Sequence, residues 1–575
     1  MVKQIRRRVV QPARALEESE LHPLLAKIYA ARGLSAPNEL DLGLDQLIPP
    51  EQLLNAPEAA VLLADAIAGN ERILVVGDFD ADGATSTALF VEAMRAFGAQ
   101  HVDYLVPNRF EYGYGLTPEI VELARGSQPD LIVTVDNGIS SIEGVDAASA
   151  LGIRTVITDH HLAGNELPKA QLIVNPNQPA CTFPSGNLAG VGVIFYLMMA
   201  LRQEFRRRDA SSAAASVNLA QFLDLVALGT VADVVPLDRN NRILVSAGLR
   251  RIRAGQARPG IMALLGIASR DFRSMVASDL GFAVGPRINA AGRLDDMSVG
   301  IECLLSTSES TAQKLAAQLQ QLNDERRVIE RDMQKTAMQI IAHMPFSDDE
   351  EPPIAMCLYQ SDWHQGVIGI LASRIKDKLH RPTIAFADGD AGQLKGSARS
   401  IPGIHIRDIL DAVATRNPGL ISRFGGHAMA AGLTIDATAY EPFVAAFTQE
   451  VHRHAEDVQL QAVIESDGAI DAADFDLELA QTLRFAGPWG QHFPEPVFDG
   501  EFDVINQRLV GERHLKVVLS PDGGATVVDG IAFNIDPEIW PNASVERVQI
   551  AYRLDVNEFR GRRSLQLMIE HLFAA

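Results

Sequence analysis

Three short apolar runs, ILVVG at 73–77, LIVTV at 131–135 and TVIT at 155–158, each stop on acidic or histidine side chains. Runs this short, with no polar alternation, read as strands buried on both faces, which confines them to a parallel sheet flanked by helices. Between them lie the helical patterns ATSTALFVEAMRAFG, TPEIVELARG and VDAASALG and a further strand, VDYLVP, so residues 71–167 carry a strand-helix alternation. In such a sheet the groups that follow the strands gather along one edge, where open α/β folds place their ligands. Here those groups are Asp78, Asp80 and Asp82, then Asp136, then Asp159, His160 and His161. An edge this acidic is costly to hold without cations, which points to a metal site able to hydrolyse a phosphate ester.

A chain of 575 residues exceeds what one hydrophobic core supports, and at roughly 150 residues per domain it divides into several parts. No apolar stretch approaches the roughly 18 residues of a membrane span, and MVKQIRRRVVQPAR lacks the apolar centre of a signal peptide, so a cytoplasmic protein is expected. Cys181, Cys303 and Cys357 lack C-x-x-C spacing and suit buried thiols in a reducing compartment. The net charge of −22 argues against a surface coated for gripping duplex DNA, while leaving room for a local basic track.

The expected class is α/β. A short N-terminal extension (1–45) precedes the parallel-sheet domain (46–305). A long helix (306–344), opened by a Ser306-x-x-Glu309 capping box, leads to a second α/β domain (345–455). The segment 189–232 reads as mostly helical and 248–305 as mixed. The last part (456–575) carries EFDVINQRLV, HLKVVLS, TVVDGIAFNI, RVQIAYRLDV and SLQLMIEHLF, five strands compatible with a small OB-like barrel.

In DFDADG an extended backbone would turn Asp78, Asp80 and Asp82 the same way, before Gly83 lets the chain enter a helix. Read alone, it is also a solvated turn capping that helix through Asp82. Asp136-Asn137-Gly138 alone is ordinary turn chemistry. The His160-His161 pair beside Asp159 offers imidazole and carboxylate ligands for Mn²⁺ or a similar divalent ion. Asp233 ends the helical LDLVALGTVA, where capping is the plain alternative.

Taken in order, DFDADG, DNG, DHH and ADVVPL resemble the DHH phosphoesterase superfamily. GPRINAAGR (285–293), SDWHQGVIGILASRI (361–375), KGSARS (395–400) and GGHAMAAG (425–432) narrow the resemblance to its exonucleases that degrade single-stranded DNA from the 5′ end. The resemblance implies a DHH-associated second domain and two divalent cations, Mn²⁺ or Mg²⁺, held by Asp80, Asp82, Asp136, His160 and Asp233. Asp78 and Asp159 would align those ligands, and His161 would stabilise charge on the scissile phosphate, with Asp80 and Asp136 sharing in catalysis.

Substrate contacts are expected from Arg287, Asn289 and Arg293, and from Gly425, Gly426 and His427 as exposed amides at a helix start. The resemblance gives the terminal 5′-phosphate to Ser397, Arg399 and Arg109; Tyr114, in a basic-aromatic patch, is placed to stack a base. In the barrel, Arg508, Arg513, Lys516, Arg547, Arg553, Arg560, Arg562 and Arg563, interleaved with Phe533, Tyr552 and Phe559, suit a single-strand track. The chain has no G-x-x-x-x-G-K-[ST] loop, so duplex opening falls to other proteins. The resemblance implies a single-stranded-DNA-binding protein and a RecQ-type helicase as partners of a monomer. Two other readings share these motifs: a small-nucleotide or cyclic-dinucleotide phosphodiesterase, and a non-catalytic nucleic-acid-binding scaffold.

Overall fold

The computed structural model describes residues 3–108, 112, 115–344, 352–455, 458, 460–559 and 561–575. The chain falls into two compact units, one of residues 7–322 with 466–575, the other of residues 1–6 with 323–465. After a short strand, β1 (Gln4–Arg7), unbroken apolar sequence builds the central sheet: β2 (Ile73–Gly77), β3 (Val102–Leu105), β4 (Leu131–Val135), β5 (Arg154–Thr158) and β6 (Leu172–Val174). All five strands are parallel, in the order β3-β2-β4-β5-β6.

Alternate side chains fill opposite faces of this sheet. Ile73, Val75, Val133 and Val156 pack into the core beneath the Ala81–Ala96 and Gly190–Arg208 helices, whereas Leu74, Val76, Ile132 and Ile157 pack beneath Pro118–Arg125 and Ile142–Ala150. The chain steps outward from β2 to β3 and then back past β2 to β4. The winding therefore reverses between β2 and β4, and the crevice beyond their carboxyl ends is where such sheets hold ligands.

Residues 248–305, expected to be mixed, are helical and turn in character, with helices at Pro259–Ile267, Gly285–Leu294 and Ser298–Leu305. Arg258 locks this region: it bonds Asp224 through Nε (3.1 Å), Glu92 through a terminal nitrogen (3.1 Å) and the Leu304 carbonyl (3.2 Å), all while buried. The long helix runs Glu309–Ala342. Ser306 ends the preceding helix instead of capping this one; the oxygen of Ser308 accepts the Thr311 amide at 3.4 Å, so the N-terminal cap falls two residues later than expected.

The smaller unit holds β7 (Met356–Tyr359), β8 (Thr383–Asp388), β9 (Gln393–Arg399), β10 (Arg423–Gly426) and β11 (Ala430–Asp436), in the order β10-β11-β9-β8-β7. Only β7 and β8 run parallel. The GGHAMAAG segment is thus a β-hairpin and not a helix start: Gly425 pairs with Gly432, Gly426 with Ala431, and the His427 amide closes the turn on the Ala430 carbonyl at 2.8 Å. Its glycines let strands lie close, and the apolar LTI that follows extends the ladder. A short β12 (Val463–Ser466) pairs with β1.

The last strands, β13 (Phe498–Val510), β14 (His514–Ser520), β15 (Val528–Ala532), β16 (Arg547–Phe559) and β17 (Arg562–Ala574), close into a barrel. This barrel belongs to the larger unit. Buried Arg32 grips Asp467 with two bonds of 2.6 and 3.0 Å, and the Tyr29 hydroxyl donates to the Ala486 carbonyl at 2.8 Å. The expected basic-aromatic track is altered in composition. Tyr552 is core, while Lys516, Arg547, Arg553 and Arg563 are engaged with Asp529, Glu501, Glu495 and Glu558. Phe533 stays half exposed against His514, whereas Arg560 and the Phe559 side chain lie outside the described residues.

Candidate metal centre

The loop after β2 is shaped by its own carboxylates. Asp80 has extended backbone and caps the Ala81–Ala96 helix, accepting from the Asp82 and Gly83 amides at 2.9 and 3.0 Å. Capping thus falls to Asp80, not Asp82, and Asp82 lies in the first helical turn instead of on an alternating extended segment. From there its carboxylate reaches the amides of Gly190 (2.6 Å) and Val191 (3.0 Å), at the positive end of the Gly190–Arg208 helix. Gly83 is required sterically, since a Cβ there would meet the Asp78 carbonyl oxygen at 2.5 Å. Asn289 accepts the Ala81 amide at 2.7 Å, so a residue expected to touch substrate also fixes this loop.

Asp136 leaves β4 in the left-handed region, φ 62°, a conformation that aspartate tolerates at a turn. Asn137 stabilises the bend, donating to the Val76 and Val135 carbonyls at 3.1 and 2.9 Å and so tying the ends of β2 and β4 together. After β5, Asp159 accepts the Ile139 amide (2.9 Å), the His160 amide (2.7 Å) and His161 Nδ1 (2.7 Å). The amides of Asn175 and Asn177 hold the carbonyls of His161 and His160 at 2.9 and 2.6 Å. Asp233 terminates the Leu223–Ala232 helix from the other side.

These elements bring the sequence candidates together. Asp78, Asp80 and Asp136 form one set, Asp82, His160 and Asp233 a second, and Asp136, His160 and His161 a third, with the ligand atoms of each set within 4.8 Å of one another. His160 Nε2 lies 3.1 Å from Asp136 Oδ1, 3.5 Å from Asp233 Oδ2 and 4.0 Å from Asp82 Oδ2.

Burial and mutual repulsion govern the charges. Burial, reinforced by Asp233 and Asp80, pushes the Asp82 carboxyl up to about 7, and burial with Asp80 pushes Asp233 to about 8. Asp136 is raised well above the carboxylate range by burial and four neighbouring aspartates. Burial and the adjacent His161 charge lower His160, keeping it a neutral ligand-type imidazole. For the third motif, burial opposes both charges, yet the mutual hydrogen bond wins: Asp159 falls to about 2 and His161 rises to about 9, an ion pair at neutral pH.

The donor set fits divalent cations. His160 Nε2 is buried with no hydrogen-bond partner among the described residues, yet it faces three carboxylates. A Cβ on Gly190 would press on Asp136 at 2.7–2.9 Å, so glycine keeps the cradle open. Oxygen donors with one imidazole suit Mn²⁺ or Mg²⁺.

Other candidates lie apart in the chain. Arg287 bonds Gln320 at 2.7 Å and the Ala283 carbonyl, and Arg293 is half buried near the end of the Gly285–Leu294 helix. In the smaller unit, Arg399 donates to Ser397 Oγ at 3.1 Å, and a Cβ on Gly369, at the start of the Ile368–Leu379 helix, would touch both side chains. Arg109 and Tyr114 lie outside the described residues. Sequence reasoning missed Asn175, Asn177, Gly190 and Val191. The two asparagines in VNPN, directly after a strand, are the signal that was present; a backbone amide at a helix start leaves none.

A parallel sheet with carboxylates and a histidine pair at its switch point defines a phosphoesterase of the DHH class. Family models agree: the DHH family N-terminal domain matches residues 72–230, the DHHA1 domain 352–453 and the RecJ OB domain 466–571. The single-stranded-DNA-specific exonuclease RecJ of Dickeya dadantii is 54% identical over 100% of this chain and 99% of its own, and that of Escherichia coli is 53% identical over 99% of each. The crystal structure of RecJ with Mn²⁺ from Thermus thermophilus superposes with a TM-score of 0.81 at 29% identity, covering 99% of this chain and 79% of that one. The chain belongs to the RecJ family of single-stranded-DNA-specific exonucleases.

Proposed function

We propose that this protein is a divalent-cation-dependent exonuclease that degrades single-stranded DNA from its 5′ end to 5′-mononucleotides, in DNA repair and recombination. The observation that carries this reading is the buried carboxylate-imidazole cluster at the β2/β4 switch point, in a chain of this family. Mn²⁺ and Mg²⁺, each present in a solved RecJ from Thermus thermophilus, are the cofactors.

Asp80, Asp82, Asp136, His160 and Asp233 hold two cations, and Asp78 and Asp159 align the ligands. When bound, the cations lower the pKa of a water and offset charge on the phosphoryl oxygens. His161, kept protonated by Asp159, is placed as a positive donor to the scissile phosphate. Arg287, Asn289 and Arg293 guide the strand, with Tyr114 stacking on a base. Ser397, Arg399 and Arg109 take the 5′-phosphate, and Gly425, Gly426 and His427 contact the strand. The enzyme acts as a cytoplasmic monomer beside a single-stranded-DNA-binding protein and a RecQ-type helicase, which supplies the unwinding that this chain has no phosphate-binding loop to drive.

Digestion of a strand labelled separately at each end, with wild type and Asp136→Ala, in EDTA and in Mn²⁺, tests the reading. Directional release of mononucleotides from the 5′ end, by wild type in Mn²⁺ alone, is expected. Hydrolysis that survives EDTA or Asp136→Ala, or that starts at the 3′ end, overturns it.

A further inference from the structure

Phe282 stands 85% exposed, further out than the other large hydrophobics among the described residues apart from Val9. A single exposed apolar side chain is common on any protein and signifies little. This one coincides with two departures from regular backbone. It sits in a π-helical turn, Leu280–Val284, immediately before the GPRINAAGR helix, and such turns concentrate at functional sites. That turn packs on the end of the Leu223–Ala232 helix: a Cβ on Gly281 would lie 3.3 Å from Val231, and one on Gly285 would lie 3.2 Å from Ala232. The next residues are Asp233 of the metal centre and Val234, a β-branched residue in the left-handed region (φ 62°) and 63% exposed. A β-branched side chain in that conformation is strained, and the strain is maintained here beside a cluster ligand.

The π-turn explains the exposure. Leu280, Ala283 and Val284 are buried, while the wider turn leaves Phe282 on the outside. Arg287 bonds the Ala283 carbonyl, bracing the turn with a residue of the motif that follows. An aromatic ring is therefore presented from a braced turn packed against the helix that carries Asp233.

We propose that Phe282 is a stacking platform for a base of the single-stranded DNA substrate beside the metal centre. This rests on the nuclease reading given above. A ring face takes any base, so the platform holds a strand without reading its sequence, and Phe282 acts as a positioning residue away from the reacting atoms.

The test compares wild type, Phe282→Ala and Phe282→Trp on a long single strand and on a strand of equal length with abasic sites near its 5′ end. In Mn²⁺, Phe282→Ala is expected to raise KM for the intact strand about tenfold while kcat moves much less, and Phe282→Trp to restore it. On the abasic strand the difference between wild type and Phe282→Ala disappears. In EDTA, where nothing is cut, the emission added by Phe282→Trp over wild type is quenched by the intact strand and not by the abasic one. An unchanged KM in Phe282→Ala, or equal quenching by both strands, overturns the platform. If wild type cuts no strand, the nuclease reading fails, and the quenching measurement in EDTA still decides the role of Phe282.

Discussion

Gly292 offers the sharpest test of how the metal loop is held. It faces the DFDADG loop from the Gly285–Leu294 helix, and a Cβ there would lie 1.8 Å from the Phe79 carbonyl oxygen, with Met297 Cε at 2.9 Å. An ordinary contact begins at 3.4 Å, so Gly292→Ala leaves the new methyl about 1.6 Å short, against backbone that no rotamer change relieves. The helix or the loop must move. Asn289, one turn earlier, is bonded to Ala81, so either movement shifts Asp78 and Asp80, which flank Phe79. Overpacking of this kind costs about 1–3 kcal/mol, and displacement of a catalytic group by about 1 Å costs on the order of a hundredfold in rate. Gly266→Ala is the matched control: it sits in the Pro259–Ile267 helix with nothing within 4 Å of its Cβ, and should stabilise by about 0.5–1 kcal/mol. Thermal melts and single-strand digestion at saturating Mn²⁺ read both effects. Wild-type rate and melting temperature in Gly292→Ala would show that the helix does not position the loop, and would refute the reasoning.

Three further outcomes follow from the same structure. Adding Mn²⁺ to EDTA-stripped protein should raise its stability by about 2.7 kcal/mol at a hundred times the dissociation constant, and Asp136→Ala should abolish that rise; an equal rise in the variant in differential scanning calorimetry would place the cation elsewhere. Arg258→Ala leaves Asp224 buried without its guanidinium and should cost about 3–5 kcal/mol in urea melts, so a loss under 1 kcal/mol would remove Arg258 from its role as a lock. The Arg7 guanidinium and the Ser466 hydroxyl outweigh burial and hold the Asp499 carboxyl below its usual range. Stability from that bond is present above about pH 4 and is lost as pH falls through the lowered value, so Asp499→Asn should flatten the acid-side decline in melting temperature; an unchanged acid limb would count against it.

What could be read from the sequence divides along physical lines. The sheet was legible because both faces of β2, β4 and β5 are buried, so their residue types leave little choice. Its parallel order then brought Asp80, Asp136 and His160 to one edge, although 80 positions separate the first and last. Local backbone was less legible. In DFDADG the extended and helical alternatives both point acids inward, and only the Gly190 and Val191 amides, more than a hundred positions away, settle Asp82 on the helix. GGHAMAAG was expected to start a helix, but it pairs with a strand 31 to 35 positions earlier, a partner its glycine content does not reveal. Barrel cations were expected to face DNA because sequence shows neither the acids opposite them nor their register; Lys516, for example, meets Asp529 across β14 and β15.

The candidate metal pocket is anchored by bonds within the protein, and its crowded acids repel one another. Asp80 is fixed by its capping bonds, Asp82 by two amides at a helix start, Asp136 by a left-handed bend braced through Asn137, and the His160 backbone by Asn177. All of these anchors are bonds between groups of the protein. They hold acids close enough to repel, which burial alone would scatter or neutralise, and the surrounding sheet and helices must supply the stability that this arrangement withholds. The bond between Asp159 and His161 likewise fixes the orientation of that imidazole beside the acids, so the third motif is held by the same kind of internal anchor as the first two.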